Sequence, residues 1–555
     1  MEIKMLLDGI WDFSFTKYGK LADFDVRNAS FDQLAAVPGC FDATMNLSFQ
    51  KGLAVYRREV EVSGRQKLTI EGVGLRGKVY WDGKLIGECP VPFCAEEIRF
   101  DAGDAGKHEL IIAVDNHVDT GVDSVFREYY DFYPYGGIYR SVSIEKLEDV
   151  EITYIKAVTR NLEKRTVEVT VELDGNYSGK TIELYANGKP AASAAAVQEF
   201  TTTFDMPGAA LWDTESPNLH TLEVKVGSVT RTETFGIREI TCKDGKILLN
   251  GKAFKIFGVN RHECHPNYGY AVPANITLDD VLAIKKQGFN CIRGSHYPQS
   301  KIFLDICDRA GMLVWNESLG WQNKVEALNS PGFQQLFLRQ TTALVKRSVN
   351  HPCVVMWGFL NETYSNHIEA RPFMETLEKY VRKMDDSRPL TYASNRMAED
   401  LCMDLSDIMS FNTYPCWYGF GIPDADPTLE EFSRQPIESA FKVIKDFSTQ
   451  EKFNKRPVLI SEIGAEALPG DHSGLRWSED YQADLIEAVL DLVEKDDVIQ
   501  GVFLWMYCDT KTYSNMIGQA RARGYNNKGL VDEYRRPKLS WQRAGKFLAN
   551  KQAAK

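Results

Sequence analysis

The chain has 555 residues, long enough for more than one domain, and its 44% hydrophobic and 26% charged content is that of a globular protein. A formal net charge of −12 argues against nucleic acid or an anionic membrane surface as the main partner. An acidic substrate would need cations supplied locally against that field.

Residues 1–145 are strand-rich. Alternating runs at 56–62, 67–70, 77–81 and 109–114, separated by turn signals such as Asp82-Gly83, predict an antiparallel sandwich. The segment Arg127-Glu128-Tyr129-Tyr130-Asp131-Phe132-Tyr133-Pro134-Tyr135-Gly136-Gly137 interrupts the pattern. It is aromatic, Gly-rich and acidic, and reads either as a loop with a function or as a plug between domains. Residues 146–239 form a second all-β unit, with 166–173 and 220–226 alternating at period two. Its length fits an immunoglobulin-like sandwich, and with no Cys inside it an antibody-type disulfide is excluded.

From residue 240 onward strands alternate with helical patterns. Eight apolar strand candidates run at 254–260, 291–297, 313–318, 354–362, 389–394, 408–414, 457–464 and 501–507. That is the pattern of a (β/α)8 TIM barrel over 240–555, with its active site at the carboxyl ends of the strands. The first helix is expected to open on a capping box at Thr277-Leu278-Asp279-Asp280, with Leu278, Val281 and Leu282 on one face.

The fourth candidate, Val354-Val355-Met356-Trp357-Gly358-Phe359-Leu360-Asn361-Glu362, is an apolar run ending in a carboxylate; the seventh, Pro457-Val458-Leu459-Ile460-Ser461-Glu462-Ile463-Gly464, carries a second. An ionisable group at the mouth of a buried strand is costly unless paired or used. The two read either as salt bridges at a barrel rim or as a pair facing one cavity. Such a pair is what glycosidic hydrolysis requires. One carboxyl, protonated, donates to the leaving oxygen; the other, ionised, attacks the anomeric carbon or activates water.

Asn361-Glu362 after a Trp-containing strand, with Glu462-Ile463-Gly464 later, resembles glycoside hydrolase family 2. Gly258-Val259-Asn260-Arg261-His262-Glu263, Arg293-Gly294-Ser295-His296-Tyr297-Pro298 and Leu211-Trp212-Asp213-Thr214-Glu215-Ser216-Pro217-Asn218-Leu219 are similar to further motifs of that family. The resemblance covers nearly the whole chain. It implies a jelly-roll sugar-binding domain (1–145), an immunoglobulin-like β-sandwich (146–239) and a catalytic barrel (240–555). It also implies retaining chemistry, with Glu362 as acid/base, Glu462 as nucleophile and Asn361 on the sugar 2-hydroxyl.

Arg523-Gly524-Tyr525-Asn526-Asn527-Lys528-Gly529-Leu530 follows the eighth strand. Taken bare, Asn526 and Lys528 form an amide and an ammonium fit to hold one carboxylate, or a solvated loop. In this position they resemble the Asn-x-Lys signature of the family's β-glucuronidases, which reads a uronic acid's C6 carboxylate. The implied substrate is a small-molecule or oligosaccharide β-glucuronide. By the same resemblance Asn412, Tyr414 and Tyr418 line the pocket, Trp505 floors it, and Asp131 in Tyr130-Asp131-Phe132 binds a hydroxyl near C4. His296, in Ser-His-Tyr-Pro, is read as a sugar-binding residue against the alternative of a satisfied core histidine.

Two departures bear on specificity. Glucuronidases carry an Arg four residues before the signature Asn, where this chain has Ala522 flanked by Arg521 and Arg523. The choice between a β-glucuronide and its C4 epimer, a β-galacturonide, therefore stays open. The loop after Trp315-Asn316-Glu317-Ser318 is also short and resembles that of the glucuronidases lacking a long loop there, a resemblance that implies an open aglycone site suited to larger conjugates. Of another class is a carbohydrate-binding protein on an inactive barrel, against which the two glutamates and Asn361 speak together.

The remaining patterns point away from cofactors. His262-Glu263-Cys264-His265 lacks the i, i+4 helical spacing of a zinc protease and reads as barrel-rim hydrogen bonding; no metal is expected. No Gly-rich phosphate loop follows a strand, so no nucleotide cofactor is expected. The 11 Cys, odd in number and without a CxxC pair, predict reduced thiols and a cytoplasmic location. No apolar run approaches the roughly 18 residues of a membrane span. The family resemblance implies a homo-oligomer, commonly a tetramer.

Overall fold

The structure, a computed structural model, describes residues 4–118, 121–125, 131–418, 430–453, 455–513 and 521–553. Arg127 to Tyr130 of the aromatic segment lie outside the described residues, whereas Asp131 and Phe132 lie within them. Between Met5 and Lys146 a four-stranded and a six-stranded antiparallel sheet face each other. Their inward residues, among them Trp11, Tyr56, Leu68, Val79, Leu110 and Ile144, form one core. From Val150 to Phe235 a three-stranded and a four-stranded sheet make a second sandwich. In its strand Thr166–Gly175 the alternation is strict: Val167, Val169, Val171 and Leu173 are buried, and the residues between them are partly exposed.

A three-stranded antiparallel sheet, Ile240 to Phe254, separates this sandwich from the barrel. The strand expectation beginning at 254 merged its last residue with the first barrel strand. Its two turns, Asp244-Gly245 and Asn250-Gly251, all take positive φ, the hairpin geometry that Asx-Gly pairs favour. The barrel then closes through eight parallel strands: β1 (Ile256–Asn260), β2 (Cys291–Gly294), β3 (Leu313–Glu317), β4 (Val354–Asn361), β5 (Leu390–Ser394), β6 (Met409–Asn412), β7 (Val458–Ile463) and β8 (Ile499–Leu504). All eight expected strands are present.

The first barrel helix differs from expectation. It spans Ala274–Lys286, three residues ahead of the proposed capping box, and buries Thr277, Asp280, Val281 and Ile284. Leu278 and Leu282 are exposed. The helix is turned because Asp280 is drawn inward by Arg261, at 3.0 Å, and Arg535, at 3.1 Å. Leaving the buried Arg261 without Asp280 would cost about 3–5 kcal/mol, more than the roughly 1.5–3 kcal/mol of fully burying one leucine, and both leucines keep about half of their surface covered.

Every residue of β4 is buried, as a parallel strand covered on both faces requires. The second sandwich fixes where this strand begins. Arg238 donates to Pro352 O at 3.1 Å and to Val354 O at 2.8 Å. Trp212 donates to Asp308 O at 2.9 Å, and the Asp308 carboxylate accepts from Cys353 N at 3.0 Å. Within β4, Gly358 leaves room for the neighbouring strand: a Cβ there would lie 2.2 Å from Trp315 Nε1 and 2.5 Å from Glu317 Cβ. Among the described residues no helix is long and apolar enough to cross a membrane.

Candidate active site

The carboxyl ends of β1, β3, β4 and β7 converge on Arg293 of β2. This fully buried guanidinium donates to Glu317 Oε1 and Oε2, each at 3.0 Å, to Glu462 Oε1 at 2.8 Å, to Asn361 Oδ1 at 2.9 Å and to Asn260 Oδ1 at 3.1 Å. Two carboxylates thus flank one cation. Burial pushes the Glu462 carboxyl above the ordinary range, Arg293 pulls it back, and the nearby Glu362 charge pushes it up again. Tyr414 Oη donates to Glu462 Oε2 at 2.7 Å, and burial with the Glu462 charge keeps that phenol protonated. Burial pushes Glu317 up as well, with Arg293 in opposition.

Glu362 follows the last residue of β4 with a φ of +51°, a left-handed conformation costing a non-glycine residue on the order of 1 kcal/mol. Its backbone N–H is held by Ala393 O at 2.7 Å. Its carboxylate accepts from Asn412 Nδ2 at 3.0 Å and from Gln322 Nε2 at 3.0 Å. Asn412 Nδ2 also lies 3.0 Å from Asn361 Oδ1, while Asn412 Oδ1 accepts from Ser461. Arginine can only donate, so the Asn361 atom facing Arg293 is its oxygen. Asn361 Nδ2 then points away, buried and without a partner among the described residues.

Trp505 stacks on His296 with ring centroids 5.0 Å apart and planes at 17°. Burial and Arg293 hold His296 well below its ordinary pKa, so the ring is neutral. Its Nδ1 lies 3.1 Å from Glu317 Oε1, and its Nε2 lies 3.9 Å from Glu462 Oε1.

A second cluster lies behind Tyr414, whose ring is 5.3 Å from that of Tyr418. Lys528, 1% exposed, donates to Tyr418 Oη at 3.0 Å and to Glu466 Oε1 at 3.3 Å. Arg521 donates to Tyr418 Oη at 3.0 Å, to Asp131 Oδ2 at 2.8 Å and to Glu466. Asn526 Nδ2 donates to the same Asp131 oxygen at 2.7 Å. Burial opposes charge on Glu466, but Lys528 and Arg521 outweigh it and hold the carboxyl ionised. Asp131 Oδ1 is buried without a partner among the described residues. The first domain therefore reaches the barrel mouth. Its loop is fixed there by Tyr133 N on Lys511 O at 2.6 Å and by Phe132 packed 4.8 Å from the His262 ring.

The structure brings all eleven sequence-derived candidates into these two adjoining clusters: Glu362, Glu462, Asn361, Asn412, Tyr414, His296 and Trp505 in the first, and Tyr418, Asp131, Asn526 and Lys528 in the second. Among the described residues, polar groups outside that set that share the site include Asn260, Arg293, Glu317, Gln322, Glu466 and Arg521. Arg293 and Glu317 stand inside motifs quoted from the sequence, but their orientation into the barrel is a matter of strand register. Arg521 takes the inward direction while Arg523 pairs with Glu533 at 2.7 Å nearer the surface. Glu466 follows Glu462 on the same chain segment. Gln322 carries no signal in the sequence.

The residues of the His262-Glu263-Cys264-His265 run make rim contacts: Glu263 pairs with Arg140 at 2.8 Å, and His262 Nδ1 lies 3.3 Å from Tyr297 Oη.

Residues 240–543 match the family model "Glycosyl hydrolases family 2, TIM barrel domain", and residues 143–238 match "Glycosyl hydrolases family 2". The chain is 27% identical to the β-glucuronidase of Streptococcus agalactiae over 96% of this chain and 94% of that protein. It is 31% identical to the β-glucuronidase of Mus musculus over 74% of this chain, a match spanning 63% of the mouse protein. A crystal structure of a family 2 β-galacturonidase from Eisenbergiella tayi bound to galacturonate superposes with a TM-score of 0.89 at 29% identity, covering 99% of this chain and 97% of that one. A family model that takes in more than half of the residues, on a chain with the family's sandwiches and closed barrel, is decisive: this chain belongs to glycoside hydrolase family 2 and is a glycoside hydrolase.

Proposed function

We propose that the chain is a retaining exo-β-glucuronidase acting by double displacement. The observation that carries the uronide reading is the buried ammonium of Lys528, joined through Tyr418 and Tyr414 to Glu462. Lysine has three N–H donors and two are used among the described residues, which leaves one for a ligand carboxylate. Two orphaned atoms, Asn361 Nδ2 and Asp131 Oδ1, supply a donor for the 2-hydroxyl and an acceptor for a hydroxyl near C4. The names of the Streptococcus and mouse relatives support the same reading.

In the first step the Glu462 carboxylate attacks C1 while the Glu362 carboxyl gives its proton to the glycosidic oxygen. The C1–O bond breaks, the aglycone leaves as its alcohol, and a glycosyl ester forms on Glu462. In the second step the Glu362 carboxylate takes a proton from water, whose oxygen attacks C1 and releases Glu462. Two inversions give net retention. Arg293 and the Tyr414 hydroxyl favour the Glu462 anion against burial and orient it. Neutral His296 adds no competing charge, and Trp505 provides an apolar floor for the sugar ring.

A second reading, β-galacturonidase or dual hexuronidase activity, is favoured by two observations. Arg521, in place of the Arg expected one residue later, contacts Asp131, and the Eisenbergiella match extends over nearly the whole chain. A panel of 4-nitrophenyl β-D-glycosides separates the two. The expected result is release from the glucuronide with little from the glucoside or galactoside. Release from the galacturonide alone would replace the lead reading.

The pH profile tests the nucleophile's surroundings. Glu462 acts as an anion, so kcat/KM is lost as pH falls through its ionisation. Tyr414→Phe removes a donor that favours the anion, which raises the carboxyl further. The acid limb of kcat/KM is expected to move to higher pH by about 1 unit. A profile superimposable on wild type would remove Tyr414 from this role.

A further inference from the structure

We propose that Gln322 is a positioning residue for the proton donor: its side-chain amide holds the Glu362 carboxyl in the plane that faces the glycosidic oxygen. This rests on the reading of Glu362 as acid/base. The chain leaving β3 does not depart from the barrel at once. Asn361 N donates to Gly320 O at 2.6 Å, and Gln322 N donates to Asn361 O at 2.8 Å. Trp321 pairs with Asn361 as a parallel bridge. The three residues 320–322 thus act as a short added strand along the end of β4, on the side away from β5.

Gln322 closes that contact with a φ of +49°, matching the +51° of Glu362 opposite it. Both residues leave the ladder in the left-handed conformation, and the Gln322 side chain reaches Glu362 Oε2 at 3.0 Å. Asn412 holds the other oxygen, Oε1, at 3.0 Å. With an amide on each oxygen the carboxyl plane is fixed, as a proton transfer along one hydrogen bond requires.

The arrangement has a chemical consequence that a structural role lacks. Gln322 orients the Glu362 carboxyl for the acid form of the first step and for the base form of the second. Removing the amide impairs proton donation, and that impairment scales with how much the leaving group needs a proton.

The test uses the full chain and two variants. Gln322→Asn keeps an amide and tolerates positive φ, but its side chain is one methylene too short to reach Oε2. Gln322→Ala removes the amide altogether. Each is assayed on a 2,4-dinitrophenyl uronide, whose leaving group departs unprotonated, and on a phenyl or alkyl uronide, whose leaving group does not. Both variants are expected to lose about 10-fold on the poor leaving group in kcat/KM and to change less than about 2-fold on the dinitrophenyl substrate.

Equal losses on both substrates, or no loss on either, would overturn the proposal and leave Gln322 as packing. Glu362→Ala is run beside them. If it shows the leaving-group dependence and the Gln322 variants do not, the inference alone fails. If Glu362→Ala shows none, the acid/base reading fails and the inference falls with it.

Discussion

Replacing Glu462 by glutamine is expected to lower uronide turnover by a factor of about 10⁴ or more. The size follows from the role: without an ionised carboxylate on the α-face no glycosyl ester forms, and water must attack an unactivated acetal. The substitution preserves the shape of the side chain. Its amide oxygen can still accept from Arg293, and its NH₂ can donate to the Tyr414 hydroxyl, so the two contacts at 2.8 Å and 2.7 Å survive with reversed polarity at Tyr414. Burial already opposes charge at this position, and Arg293 keeps Glu317 as its counter-ion. The variant should therefore melt at or slightly above the wild-type temperature, the usual relation at a site where function costs stability. A 2-deoxy-2-fluoro uronyl fluoride should label wild-type enzyme on the peptide that carries Glu462 and leave the variant unlabelled. Retention of a tenth of wild-type activity, or a label on another residue, would remove Glu462 from the nucleophile's place.

How much of this was legible in the chain depended on whether a residue's meaning lay in its own segment. Glu362 and Glu462 each terminate an apolar run, and that local contrast of buried strand and carboxylate is visible without a partner. The barrel was readable for the same reason: eight runs separated by helical patterns leave few topologies. The small sheet at Ile240 to Phe254 was not separated, because its last strand abuts the first barrel strand with no turn signal between them. Leu278 and Leu282 misled the helix reading, since apolar spacing cannot show that Asp280 is drawn inward by two arginines from elsewhere in the chain.

The site residues outside the sequence-derived set share a feature: their partners are distant. Arg293 matters through Glu462, 169 positions away, and Arg521 through Asp131, 390 positions away. Gln322 depends on a loop that folds back along β4. The choice between Arg521 and Arg523 illustrates the limit. Both flank the position where glucuronidases carry arginine, and composition gives no preference. The structure separates them by backbone geometry: Arg523 takes a φ of +60°, and its side chain runs out to Glu533, while Arg521 faces Asp131 and Tyr418.

Lys528→Met is expected to lower kcat/KM on the uronide by about 10²- to 10³-fold, with less than a tenfold change on a neutral β-hexoside of the same aglycone. Methionine keeps most of the aliphatic stem, while the Nζ it removes lies 5.4 Å from the Trp417 ring centroid and 4.9 Å from that of Tyr418. What disappears is the charge. In the free protein Lys528 and Arg521 are balanced by Glu466 and Asp131, all four within one hydrogen-bonded cluster. A substrate carboxylate adds one negative charge to a neutral group of side chains, and Lys528 has a donor left to meet it. Without that ammonium the ligand carboxylate faces Glu466 with only Arg521 between them, and leaving a buried charge unpaired costs 2–5 kcal/mol as a typical range, roughly the effect predicted. Folding should suffer less than catalysis, because Glu466 retains Arg521 and two donors from Asn527 at 3.1 and 3.3 Å. The ratio of uronide to neutral-sugar kcat/KM is the decisive quantity, since misfolding lowers both alike. A Lys528→Met enzyme with an unchanged ratio would place the carboxylate elsewhere and leave the buried ammonium as a counter-ion for Glu466 alone.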